Sequence, residues 1–139
     1  MNPEETAKKW MNAMNKHDAS GLASVYASDT VAHDPLYPAP LKGVDAIRKD
    51  AEIFFKAFPD LKVKLKTVAA KGNIVIGEVS MAGTNSGPLE SPNGTIPATN
   101  KRIDMQGAFT ARVNSKGLIV EEHRYYDTAS MMRSLGIMG

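Results

Sequence analysis

The hydrophobic pattern of this chain changes period near its middle. Up to about residue 60, apolar side chains recur every three or four positions, and beyond it they recur every two. Asn2-Pro3-Glu4-Glu5 reads as a helix start, with Asn as N-cap, Pro at the first helical position and Glu at the third. Ala7, Trp10, Met11 and Met14 then share a helical stripe, which predicts a first helix to about Lys16. Asp18 caps a short second helix that buries Leu22, Val25 and Tyr26. Thr30–Asp34 reads as a short strand stopped by Pro35, and Pro35–Gly43 as a proline-rich loop. A third helix follows, with Val44, Ile47, Ala51, Phe54, Phe55 and Phe58 on its buried side and Pro59 as its end.

From Leu61 the period is two. Leu61, Val63, Leu65 and Thr67 alternate with Lys62, Lys64 and Lys66, the pattern of a half-buried strand whose lysines face water. Lys71-Gly72-Asn73 turns the chain into a strand over Ile74–Gly83. Thr84–Lys101 is rich in Gly, Pro, Ser, Asn and Thr and reads as a long hairpin loop, of a length usually functional or mobile. Ile103–Val113 and Leu118–Tyr126 are strands joined by Asn114-Ser115-Lys116-Gly117, and Thr128–Leu135 is a final helix stopped at Gly136. Helices first and an antiparallel meander after them predict an α+β fold, a curved sheet with helices on one face enclosing an apolar cavity. Neither a repeat nor a linker interrupts the chain, so residues 1–139 read as a single domain.

The last strand carries Glu121-Glu122-His123-Arg124-Tyr125-Tyr126-Asp127 directly after an apolar run. If Val113 pairs with Leu118, Phe109 faces Glu122, Gly107 faces Arg124 and Met105 faces Tyr126. That register gathers Ile103, Met105, Phe109, Ala111, Val113, Leu118 and Val120 on one face, together with Glu122, Arg124 and Tyr126. The opposite face holds Glu121, His123 and Tyr125. A bulge at Gly117 would reverse the two sets. In the preferred register, Glu122 is a carboxylate and Arg124 a cation on an otherwise apolar wall. They form either an acid/base and oxyanion pair or a structural ion pair.

Other candidates each have a plainer reading. Asp127 precedes a helical start and reads first as an N-cap. Asp34 could act as base or orient water, or serve as a turn aspartate. His33 could be the acid/base instead, but adjacent strand residues point oppositely, so one of His33 and Asp34 reaches a pocket. His17 sits at a helix C-terminus, where the dipole explains it, and His123 falls on the polar face. Trp10, Met11, Met14, Tyr26, Phe54, Phe55, Met81, Met105 and Phe109 read as core that also supplies the walls of any cavity.

Composition narrows the classes. With 42% hydrophobic and 23% charged residues the chain reads as an ordinary soluble globular protein. A net charge of +2 without a basic cluster gives no footprint for nucleic acid. Lack of cysteine removes disulfides, thiolate zinc sites and cysteine nucleophiles. No stretch approaches a membrane span or signal peptide, so a cytoplasmic location is expected. No metal site is expected: nothing has ligand spacing, and His33-Asp34 with His123 would require distant strands to converge.

Several segments together carry a family resemblance: Tyr26-Ala27-Ser28-Asp29-Thr30 with His33-Asp34-Pro35, Gly43-Val44-Asp45-Ala46-Ile47, Phe58-Pro59-Asp60-Leu61, Gly83-Thr84-Asn85-Ser86-Gly87, and Glu122–Asp127 with Leu135-Gly136. In order and spacing the chain resembles the SnoaL-like polyketide cyclase/ester cyclase branch of the NTF2-like superfamily. The resemblance implies an α+β cone with a deep pocket, often in a homodimer. It also implies a small apolar organic ligand and acid/base chemistry without a cofactor: aldol-type cyclisation or isomerisation next to a carbonyl. Such cyclases commonly keep an acid three residues before the aspartate that opens the last helix. Here that residue is Arg124, and Phe109 stands where many relatives have Asp or His. Related epoxide hydrolases carry Arg-x-Asp on an inner strand, where this chain has the uncharged Val79-Ser80-Met81. The resulting expectation is an enzyme with Asp34 or Glu122 as base and Arg124 and Tyr126 holding an enolate oxygen. The alternatives are a non-catalytic ligand-binding module and an epoxide-hydrolase-like hydrolase.

Overall fold

The computed structural model describes residues 2–137. Residues 1, 138 and 139 of the expected domain lie outside the described residues. Helix α1 spans Pro3–Asn15, and its N-cap works as the sequence predicts: Glu5 N–H donates to Asn2 Oδ1 at 2.9 Å. Helix α2, Ala19–Ala23, is capped by Asp18 Oδ1, which accepts from Gly21 N–H at 2.9 Å. It is shorter than its apolar spacing suggests. Val25 and Tyr26 are buried as expected, but Tyr26 opens strand β1, Tyr26–His33. A two-residue strand β2, Leu41–Lys42, follows in the proline-rich segment, and helix α3 covers Val44–Ala57.

The second half supplies β3 (Lys62–Lys71), β4 (Ile74–Thr84), the small hairpin β5 (Leu89–Ser91) and β6 (Gly94–Ile96), β7 (Arg102–Val113) and β8 (Ile119–Tyr126). Helix α4, Thr128–Ser134, closes the order. The main sheet runs β2-β1-β8-β7-β4-β3. It is mixed rather than a pure antiparallel meander, because β1 lies parallel to β8. That crossover pairing brings the first strand beside the last and fixes the site.

Three register details correct the simple alternation. In β3 a bulge falls between Leu65 and Thr67, so Val68 faces Gly77 across the pair and Thr67 is exposed. In the last hairpin, Gly117 adopts φ +76° and Val113 pairs with Ile119 rather than Leu118. A second shift follows at once, since Arg112 pairs with Glu121. Each shift alone would flip β8, but two restore the parity. Phe109 therefore faces Arg124, and Gly107 faces Tyr126, two residues away from the expected partners yet on the expected face. The buried residue of the apolar run is Ile119, whereas Leu118 and Val120 are half-buried.

The core lies between the helices and the inner sheet face, around Trp10, Met14, Ile47, Phe58, Val63, Val75, Phe109 and Met131. Gly77 makes room for Phe109: a Cβ there would stand 2.5 Å from the Phe109 ring. The Thr84–Lys101 segment is pinned rather than loose. Buried Asn85 donates to Ala57 O and Gly87 O, and its Oδ1 accepts from the Thr99 amide and hydroxyl. Leu89 of that segment is fully buried.

Candidate active site

Asp34 from the turn after β1, Asp50 from α3 and Glu122 and Arg124 from β8 all line one largely apolar cavity. Arg124 projects inward from β8 and is the hub. Its Nε donates to Glu122 Oε1 at 3.0 Å, and its Nη1 donates to Asp34 Oδ2 at 2.9 Å and Asp50 Oδ2 at 2.8 Å. Glu122 is its i+2 neighbour on the same face, as the strand period requires. Asp34 follows β1 directly and arrives because Ala32 pairs with Glu122 and His33 with His123. Asp50 comes from α3, three residues after Ile47 and four before Phe54, on the buried stripe.

Three tyrosines complete the polar shell. Tyr26 OH donates to Glu122 Oε1 at 2.8 Å, Tyr126 OH to Asp34 Oδ1 at 2.6 Å, and Tyr37 OH to Asp50 Oδ1 at 2.6 Å. Asp34 Oδ1 also accepts from Leu36 N–H at 2.9 Å, so the turn role and the pocket role coexist in one residue. Burial raises the pKa of each phenol, and the adjoining carboxylate raises it further: Glu122 for Tyr26, Asp50 for Tyr37, Asp34 for Tyr126. All three thus stay neutral donors. Burial would lower the pKa of Arg124, but Glu122, Asp50 and Asp34 together outweigh it and raise the value, which fixes the positive charge.

The bonding leaves two atoms uncommitted. Both Tyr26 and Arg124 bond Oε1 of Glu122, while no described residue bonds Oε2. Glu122 lines the cavity, and its side chain is 3% exposed. Arg124 Nη2 likewise has no bonded partner among the described residues. One acceptor and one cationic donor without a bonded partner among the described residues therefore belong to two side chains that line the same cavity, whose walls include Trp10, Met14, Phe54, Met81, Met105 and Phe109.

Three of the expected wall residues lie elsewhere. Met11 turns to β3, where its sulfur accepts from Leu65 N–H at 3.4 Å. Phe55 stacks on His17 with ring centres 5.0 Å apart. Tyr26 is buried behind Glu122 and touches the site through its hydroxyl. Asp127 caps α4, accepting from Ser130 N–H at 3.1 Å. Asp34 takes the pocket position and His33 the opposite face, where it stacks on His123 at 4.4 Å. The premise that His33 and His123 stand on distant strands is overturned, since they are register partners. Asp50 and Tyr37 were not anticipated. Helical spacing alone could have placed Asp50 on the buried stripe of α3, whereas Tyr37 sits in a loop that carries no periodicity.

A family model for the SnoaL-like polyketide cyclases matches residues 4–135, and the chain belongs to that family. Among curated protein sequences no match reaches significance. Solved structures share the fold. AclR from Streptomyces galilaeus, a candidate hydroxylase, superimposes with TM-score 0.81 at 22% identity over 96% of this chain and 80% of its own. IdmH from Streptomyces antibioticus, a candidate polyketide cyclase, gives 0.78 at 24% identity over 98% and 99%. A Catenulispora acidiphila protein of ketosteroid isomerase-like fold, in complex with trimethylamine, gives 0.79 at 18% identity over 99% and 95%. The architecture is accordingly α+β of the NTF2/ketosteroid-isomerase type. No described helix is long and apolar enough to cross a membrane.

Proposed function

We propose that this chain catalyses acid/base chemistry next to a carbonyl on an apolar, polyketide- or steroid-like substrate, using its own side chains and no cofactor. The observation that carries this reading is that Glu122 and Arg124, paired through Oε1 and Nε, line one cavity, and that no described residue bonds Glu122 Oε2 or Arg124 Nη2. Glu122 removes a proton from the carbon next to the carbonyl. The C–H electron pair moves into the carbonyl, and the enolate oxygen is held by the Arg124 guanidinium. In a cyclisation the enolate carbon then forms a C–C bond to a second carbonyl of the same molecule. The resulting alkoxide recovers the proton from Glu122. In an isomerisation the same proton returns to a different carbon. Asp34 and Asp50 hold Arg124 in place from the other side, and Tyr126 and Tyr37 hold those carboxylates. Asp34 thus becomes a positioning residue, with every bond accounted for, rather than an alternative base.

A second reading has its own support. Three carboxylates surround one guanidinium, and this mutual pairing, which occupies most of their bonding atoms, suits a ligand-binding module without turnover. Incubation of the purified protein with a panel of apolar 1,3-dicarbonyl and polyketide-like compounds, plus an apolar epoxide, separates the readings. Ring-closed or double-bond-shifted product is expected. Binding with full recovery of unchanged compound would favour the binding module, and a diol from the epoxide would favour water activation.

A further inference from the structure

The outer face of β8 carries a second cluster that the pocket chemistry does not use. His33 and His123 are partners in the parallel β1/β8 register, and their rings lie 4.4 Å apart at 9°. Glu121 is two residues before His123 on the same face, with Oε2 at 3.4 Å from His123 Nε2. One ligand atom from each of His33, Glu121 and His123 falls within 4.8 Å of the others. The second carboxylate oxygen, Glu121 Oε1, is held by Arg112 at 2.8 Å, which orients the group while leaving Oε2 toward the imidazoles.

We infer that His33, Glu121 and His123 form a site for a divalent transition-metal ion, with Zn²⁺ as its natural class of occupant. Two imidazoles and one carboxylate are a borderline N₂O donor set, which suits Zn²⁺, Ni²⁺ or Cu²⁺ and not the hard cations Mg²⁺ or Ca²⁺. Tetrahedral coordination with bonds of about 2.0–2.1 Å places donor atoms roughly 3.3 Å apart, and half-exposed side chains can close to that spacing by rotation. All three residues are half-buried, so water completes the coordination. The ion would tie β1 to β8 one residue before Asp34 and one before Arg124, on the face opposite their ion pair. Its consequence is a clamp on the strand pair that aligns the pocket cluster. The pocket reading is not required for it.

The test uses the untagged 139-residue chain. Calorimetric titration with Zn²⁺ should saturate near one ion per chain, while Mg²⁺ under the same conditions should give no heat. Bound Zn²⁺ should raise Tm, because it binds the folded state. His33→Gln and His123→Gln should each weaken Zn²⁺ binding by about 10-fold or more and abolish the Tm rise. His17→Gln, the remaining histidine, should leave both unchanged. Circular dichroism confirms that each variant is folded. Retained affinity in both His33→Gln and His123→Gln would overturn the site, as would Zn²⁺ binding lost in Glu122→Gln but kept in His123→Gln.

Discussion

Strand β8 presents two faces that are chemically alike in sequence and unlike in consequence. Glu122, Arg124 and Tyr126 point into the cavity, whereas Glu121 and His123 lie on the outer face with the exposed Tyr125 ring, which stacks on His123. Each face offers a carboxylate, a basic group and a phenol at the same spacing. Inside, the Glu122 side chain is 3% exposed, and the guanidinium it meets is shared with Asp34 and Asp50. Outside, Glu121 meets Arg112 with both side chains at a third exposure or more. Water screens the outer ion pair and leaves its worth near zero to one kcal/mol. The inner group has lost most of its water, so its charge is met chiefly by the protein partners around it. A crowd of reactive letters thus becomes a candidate site where burial makes every partner obligatory.

The largest break in this contrast is Arg124→Leu. It strands three buried carboxylates without their cation and should cost about 3–5 kcal/mol in urea unfolding. Gly77→Ala attacks the apolar wall of the same pocket. The added methyl would collide with Phe109, for an expected loss of about 1–3 kcal/mol in the same assay. Tyr126→Phe removes the donor to Asp34 Oδ1 and should cost about 1–3 kcal/mol. On the outer face, Arg112→Ala should change stability by no more than about 1 kcal/mol.

Alkaline titration sharpens the same comparison. Tyr26, Tyr37 and Tyr126 have folded-state pKa values raised above those of the unfolded chain. Their contribution to stability is therefore complete below about pH 10 and falls as pH rises, because the unfolded chain loses those protons first. Phenolate absorbance from these three should appear together with loss of circular dichroism. Ionisation of all four tyrosines in a still-folded protein would contradict the buried network.

The sequence was most legible where periodicity was long. Helices α1 and α3, both lysine-faced and apolar faces of β3, and the N-caps Asn2, Asp18 and Asp127 follow from spacing and side-chain chemistry. The inner set Glu122, Arg124 and Tyr126 was also legible, although its register was not: two single-residue shifts cancelled in parity. Thr67 lost its inner place to Val68 because a bulge is a backbone event that alternation does not announce. The parallel contact of β1 with β8 joins segments some ninety residues apart, as in the Asp34–Arg124 pair, and local pattern carries no such information. Asp50 and Tyr37 entered the site by that long-range route. They turned a two-residue pair into a network with one hub.

The central claim is that Glu122 Oε2 is the free base of the pocket. Deuterium exchange at the α-carbon of an apolar cyclic ketone in D₂O, followed by NMR with wild type and Glu122→Gln, tests it most directly. Wild type should accelerate exchange, and Glu122→Gln should lose about 10² to 10⁴-fold of that rate while unfolding as a native-like protein. Equal exchange rates in the two proteins would contradict the claim.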